Sequence, residues 1–212
     1  GKKHDVQIYF EAAPNWALDK GLQPSVSENF KKDNLLFLKT GSVDQKILGK
    51  KGDDVRIDWG YFYMVSGQDE ATYGMGDPFL LRSEFVKNGN LTSDNNRKEN
   101  ANLAIAHSLG NVKDATGYIM PGYDDINSIQ YFGENLKPYW NRDGSKTIEQ
   151  MFADADKEYG KLQKECYEFD ALLMKTAAQS GGKEYAELCA LAYRQAISAH
   201  KLVQAPNGDL LF

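Results

Sequence analysis

The feature that most constrains this chain is the uneven placement of its backbone breakers. Prolines stand at Pro14, Pro24, Pro78, Pro121, Pro138 and Pro206, so Tyr139 to Ala205 runs without one, and most of the 19 glycines precede residue 145. Proline fixes φ and lacks a backbone donor, while glycine supplies the turn conformations that other residues resist. Dense punctuation between short apolar runs therefore reads as strands, and a long unpunctuated stretch reads as helix. The expected class is α+β multidomain: a mainly antiparallel β-sandwich over residues 1–144, then a long α-helical hairpin over residues 145–212.

Candidate strands are Val6–Phe10, Leu35–Lys39, Val55–Val65, Phe79–Val86, Leu103–Ser108, Tyr118–Met120 and Ile126–Phe132. In Val55–Val65 the odd positions Val55, Ile57, Trp59, Tyr61, Tyr63 and Val65 fall on one side, opposite Arg56, Asp58 and Gly60, which is the period of two that a strand imposes. Several such segments between turn signals predict two sheets packed face to face. The polar run Asn88 to Asn100 is expected as a surface loop or hairpin end.

After Gly144 the period changes. Ile148, Met151, Phe152, Ala155, Tyr159, Leu162, Cys166, Phe169, Leu173 and Ala177 recur at steps of three and four, so they share one helical stripe. Thr147 with Gln150 matches a capping box, and Gly181-Gly182 supplies a stop. A second helix is expected over Lys183 to Val203, apolar around most of its circumference from Tyr185 to Ala199. One antiparallel neighbour cannot bury such a helix, so further helices are expected beyond Phe212, and Asn207 to Phe212 reads as a turn leading into an apolar element. With the hairpin centred near Gly181, Cys166 and Cys189 are displaced by about 9 Å along its axis, too far for a disulfide, and both are expected as free thiols.

Composition narrows the function classes. The chain has 25 basic against 30 acidic residues, a net charge of −5 and a pI near 5.3, which gives no support to nucleic-acid binding through a basic surface. No apolar run approaches the ~18–20 residues that cross a bilayer, and no leader resembles a signal peptide. Two cysteines and the scattered His4, His107 and His200 do not form a metal-ligand pattern, so neither metal nor cofactor is expected. Nucleophile elbow, phosphate loop, dinucleotide fingerprint and HExxH motifs are all missing from the sequence.

Asp53, Asp54, Arg56 and Asp58, beside Trp59, form the densest chemistry. Three carboxylates and a guanidinium within six residues can supply an acid–base pair or grip the charged ends of an amino acid; equally, they fit a turn followed by a surface ion pair. Asp124 and Asp125 offer a second carboxylate pair or an Asx-type turn. On the second helix Tyr193 and His200 lie seven apart on one face, with Arg194 and Gln195 beside them, as interhelical partners or as the wall of a cleft. His107 stands at an expected strand end. Trp16, Trp59 and Trp140 serve sugar stacking or core filling. Asp54, Arg56, Asp58 and His200 are the catalytic candidates.

Several blocks resemble the glutaminase A family: Val6-Gln7-Ile8-Tyr9-Phe10, Gly52-Asp53-Asp54-Val55-Arg56-Ile57-Asp58-Trp59-Gly60-Tyr61, Ala106-His107-Ser108-Leu109-Gly110-Asn111-Val112, Gly122-Tyr123-Asp124-Asp125, Ser128-Ile129-Gln130-Tyr131-Phe132-Gly133, Leu136-Lys137-Pro138-Tyr139-Trp140 and Ala190-Leu191-Ala192-Tyr193-Arg194-Gln195-Ala196-Ile197. The sequence departs from the family at Ser108, where relatives often carry Asp. The resemblance implies an N-terminal β-sandwich leading into a six-hairpin α/α barrel, of which these residues hold the sandwich and the first hairpin. It also implies an extracellular or periplasmic L-glutamine amidohydrolase whose partner is the remainder of its own chain, with this fragment inactive by itself. A glycoside hydrolase acting on a sugar, and a non-catalytic structural or binding module, are the competing expectations.

Overall fold

The computed structural model describes residues 1–18, 23–49, 59–67, 71–92 and 96–212. The chain divides into two compact units, Gly1–Gln130 and Tyr131–Phe212. The first contains strands β1 (His4–Ala12), β2 (Ser25–Lys32), β3 (Leu35–Ser42), β4 (Tyr61–Gly67) and β5 (Ala71–Gly76), helix α1 (Pro78–Asn88), and strands β6 (Arg97–Glu99), β7 (Asn102–Val112) and β8 (Met120–Asp124). These strands build an antiparallel three-stranded sheet in the order β1-β7-β5 and an antiparallel five-stranded sheet in the order β6-β2-β3-β4-β8.

The two sheets share one core. Leu38, Phe62 and Met64 from the wide sheet pack with Met75, Leu103 and Ile105 from the narrow one, and each fully buried side chain of this size contributes roughly 1.5–3 kcal/mol. Alternation along β7 then sends Ala104 and Ala106 to the other face, where they meet Leu81 and Phe85 of α1. Both faces of the wide sheet are apolar too: Phe37, Tyr63 and Val65, on the side opposite Leu38 and Met64, are buried. The odd-numbered face of β4 is thus apolar as expected, yet it is the even-numbered Phe62 and Met64 that enter the core between the sheets.

The expected strand Phe79–Val86 is instead α1. Asp77 caps it, its carboxylate accepting from Phe79 N at 2.9 Å and Leu80 N at 3.1 Å, Pro78 fills the first turn, and Gly89 closes it with φ 72°. Those start and stop signals outweigh the short apolar run. The expected loop Asn88 to Asn100 contains β6, whose Arg97 to Glu99 pair with Val26 to Glu28. Of the expected strand Val55–Val65, residues 55–58 lie outside the described residues.

The boundary between the units falls inside a short hairpin, in which β9 (Ile129–Tyr131) pairs with β10 (Glu134–Leu136). At its tip Phe132 has φ 46° and Gly133 φ 89°. Helix α2 (Ile148–Ala199) starts with the expected capping box at Thr147 and Gln150. It is broken at Gly182, where φ is 85° and ψ −177°, a combination open essentially to glycine alone. A straight helix would separate Phe169 from Tyr193 by roughly 36 Å; their rings lie 5.2 Å apart, so the two arms run side by side as a hairpin.

The second arm ends at Ala199 rather than Val203. His200 turns extended, and Val203 pairs with Leu211 as β11 (Val203–Gln204) and β12 (Leu210–Leu211) close a short hairpin. Cys166 and Cys189 are both free thiols. Leu172, Leu188, Leu191 and Ile197 remain exposed along the arms. Among the described residues, no helix is long and apolar enough to cross a membrane.

Candidate functional site

Asp53, Asp54, Arg56 and Asp58 lie outside the described residues, but the corner into which they lead is defined. Trp59 and Gly60 form a bend before β4, and Gly60 takes φ 85°, so the period of two read through Val55–Val65 is interrupted there. The Trp59 indole is 3% exposed and donates from Nε1 to Asp125 O at 2.8 Å and Asn127 O at 3.1 Å. Tyr123 donates its hydroxyl proton to Trp59 O. From the other side, Gly60 N donates to Gln45 Oε1, while Gln45 Nε2 donates to Ser42 O at 2.8 Å.

A side chain at residue 60 has no room. A Cβ built there collides with Asp124 O, so the close approach of the bend to the turn after β8 depends on glycine. That turn holds both acidic candidates. Asp124 Oδ1 accepts from Ile126 N at 3.0 Å, an Asx turn that helps Ile126 reach φ 62°, and Asp125 Oδ2 accepts from Ser128 Oγ at 2.7 Å. Asp125 and Ser128 are both buried. The serine hydroxyl donating to the Asp125 carboxylate three residues earlier closes the turn on itself. Beside them, Tyr61 is pushed above the ordinary phenol value, first by burial and then by the charges of Glu28 and Asp124; Lys39 Nζ sits 3.8 Å over its ring.

His200 lies at the end of α2, outside the helical stripe. Its Nδ1 is 2.6 Å from Ala196 O and its ring stacks on Phe212 at 5.0 Å; a donor there satisfies a carbonyl left open by the helix terminus. Tyr193 packs on Phe169, so the helix break rather than the seven-residue spacing decides its neighbours. Arg194 and Gln195 line an exposed face of the second arm with Leu191 and Ser198. Trp16 packs on Phe62 at a ring distance of 5.4 Å, and Trp140 is half-buried in the turn Tyr139–Asn141. Among the described residues, no group of three or more His, Cys, Asp or Glu side chains could hold a metal ion.

A charged cluster that sequence reading passed over lies on the outer side of the narrow sheet. Glu11 accepts from Arg82 Nε and Nη2 at 2.8 Å each, from the Tyr9 hydroxyl at 2.8 Å and from Asn102 Nδ2 at 2.9 Å. Burial alone would raise the Glu11 carboxyl. The three hydrogen-bonding partners and the Arg82 charge outweigh it and hold Glu11 below the ordinary carboxylate value. Tyr9 moves well above the ordinary phenol value through burial, its bond to Glu11 and the Glu11 charge. Four residues spread from 9 to 102 leave no local signal, so only the fold reveals the cluster.

The sequence model of a family described as a domain of unknown function (DUF5127) matches residues 1–176. A curated relative, Glutaminase A of Aspergillus oryzae (strain ATCC 42149 / RIB 40), is 23% identical over 225 residues, covering 100% of this chain and 32% of that protein. The chain thus spans about a third of the length of that relative. No solved structure matches it.

Proposed function

The chain belongs to the DUF5127 family, and we propose that it is the sheet-rich part of a glutaminase A-like amidohydrolase, completed by further helices of the same protein. The reaction would be attack of water on the side-chain amide of L-glutamine, giving glutamate and ammonia. Such hydrolysis needs an activated nucleophile and donors for a tetrahedral oxyanion. Asp124, Asp125 and Ser128 are engaged in a turn, and His200 lies at a helix end, so each of these four is held in a structural contact.

The observation that carries this reading is the apolar surface left on α2. Leu172, Leu188, Leu191 and Ile197 are exposed on a hairpin that a longer helical assembly would bury. Of the sequence candidates, Asp54, Arg56 and Asp58 stay with the proposal, as groups able to bind the charged ends of an amino acid. A structural or ligand-binding role without chemistry is the second reading, favoured by the tight internal pairing of the Trp59–Asp125 corner.

The test is an ammonia-release assay on the full-length protein with L-glutamine, beside an Arg56→Ala variant and the 212-residue chain alone. Activity in the full-length protein, lost in the variant and missing from the isolated chain, is the expected result. Hydrolysis of aryl glycosides with none of glutamine would replace this reading with a sugar-cleaving one. Inactivity on both would leave the non-catalytic role.

A further inference from the structure

The narrow sheet, in the order β1-β7-β5, has β1 and β5 as its two borders. They differ in what covers them. At β5 a lysine from β6 reaches across: Lys98 Nζ donates to Met75 O at 3.1 Å. Gly76 leaves room for it, since a Cβ there would come within 3.1 Å of the same nitrogen. Strand β1 has no such cover. Outside its ladder with β7, its backbone has no backbone partner among the described residues, and His4–Ala12 contains neither lysine nor proline. A border of that kind can accept another strand.

The side chains of β1 suit such pairing. Its register with β7 slips between Val6 and Gln7 and is regular from Gln7 to Ala12. Alternation puts Gln7, Tyr9 and Glu11 on the side of α1, where Tyr9 meets Phe85 and Glu11 meets Arg82. Ile8 and Phe10 take the opposite side. Phe10 is 49% exposed there, although Ile105, its neighbour across the ladder, is fully buried. A strand laid beside β1 would cover the open half of that ring.

We propose that β1 binds β1 of a second copy of this chain, antiparallel about a two-fold axis between the two Tyr9 residues, joining two three-stranded sheets edge to edge. The strand is self-complementary in that register. Phe10 lies opposite Ile8 of the partner subunit, an aromatic against a β-branched residue, and the symmetry makes that contact twice. Gln7 lies opposite Glu11 of the partner subunit, an amide against a carboxylate. A register centred on Ile8 would instead oppose Asp5 and Glu11, and like charges directly opposite destabilise a strand pair. A second copy is the fitting occupant because β1 supplies to itself the alternating apolar residues that its own border leaves uncovered. One pair of short strands buries less than a standard interface, so the dimer is weak and concentration-dependent.

The experiment is sedimentation equilibrium of the 212-residue chain over a concentration series up to about 1 mM, a range suited to a small interface. Amide hydrogen exchange is measured at both ends of the series. Expected are a monomer–dimer equilibrium and, at high concentration, slowed exchange at alternate amides of β1. Phe10→Lys, a charge at a half-exposed position, should weaken dimerisation at least about 10-fold while circular dichroism stays native. Gln7→Glu, which opposes the carboxylate of Glu11 of the partner subunit, should weaken it about 2- to 5-fold. The double variant Leu188→Lys/Leu191→Lys, on the exposed apolar surface of α2, should leave it unchanged. A monomer at every concentration, an undiminished dimer in Phe10→Lys or Gln7→Glu, or a dimer lost in the α2 variant would each overturn the proposal. Should Phe10→Lys fail to fold, Gln7→Glu and the exchange pattern still decide it.

Discussion

Arg82 grips Glu11 with two parallel hydrogen bonds of 2.8 Å, Nε to one carboxylate oxygen and Nη2 to the other, across a separation of 71 residues. The pair ties α1 to β1 over the outer face of the narrow sheet. Glu11→Gln keeps the shape and removes the charge, so it should cost about 1 kcal/mol, a value held down by the exposure of the arginine. Chemical denaturation measures it. Arg82→Met should lower the melting temperature as well, and the double variant should lose less than the sum of the two.

The same pair gives the protein an acid limb. The Glu11 carboxyl titrates lower in the folded state than its ordinary value of 4.5, so the unfolded chain takes up its proton first as pH falls. The stabilisation is therefore complete above pH 4.5 and disappears as pH drops through the lowered folded value. Thermal melts from pH 7 to pH 3 should show the native protein losing stability more steeply below pH 4.5 than Glu11→Gln.

Gly60 and Gly133 share a left-handed φ, 85° and 89°, and differ in their surroundings. A Cβ at residue 60 would strike Asp124 O, whereas one at residue 133 meets nothing within 4 Å. Gly133→Ala should cost about 1 kcal/mol of backbone strain alone. Gly60→Ala should cost at least about 2 kcal/mol more, by adding displacement of the turn after β8. Equal unfolding free energies for the two variants would contradict this account of the corner.

Trp59→Phe removes the indole proton shared by Asp125 O and Asn127 O and leaves a gap where the second ring stood. A buried acceptor left unsatisfied costs about 1–3 kcal/mol, and the gap adds to it. Urea denaturation should show a loss of at least that size.

Gly182 sets the direction of the second helical arm. In a continuous helix Cys166 and Cys189 would stand roughly 35 Å apart. Spin labels on the two native thiols should report a far shorter distance in the wild type. Gly182→Ala, which favours an unbroken helix, should shift the population toward the long distance, and an unchanged distance would show that the turn does not depend on glycine.

Much of the architecture could be read from residue order. Breaker density separated strands from helix, Thr147 with Gln150 marked the start of α2, and Gly181-Gly182 marked its reversal, because these signals act within a few residues. Phe79–Val86 was misread because its apolar spacing fits a strand; the Asp77-Pro78 cap and Gly89 decide the matter. Strands β2 and β5, with mixed or small residues, gave little pattern, since their burial comes from β3 and β7 placed beside them. Of the site, the role of Asp124 and Asp125 as turn residues was legible in Pro121-Gly122-Tyr123-Asp124-Asp125. The recruitment of Trp59 and Gln45 to the same corner was not, because it depends on contacts made only after the sheet has formed.

The order β6-β2-β3-β4-β8 also determines what the wide sheet can join. One border is the three-residue strand Arg97-Lys98-Glu99, exposed and charged at every position; the other contains Pro121, which has no backbone proton to offer a neighbour. Short charged strands and prolines are the means by which natural sheets discourage edge-to-edge polymerisation. The lateral growth that turns exposed strands into aggregates is thus opposed at both borders. Along the wide sheet, association with other chains is left to side-chain surfaces instead of backbone pairing.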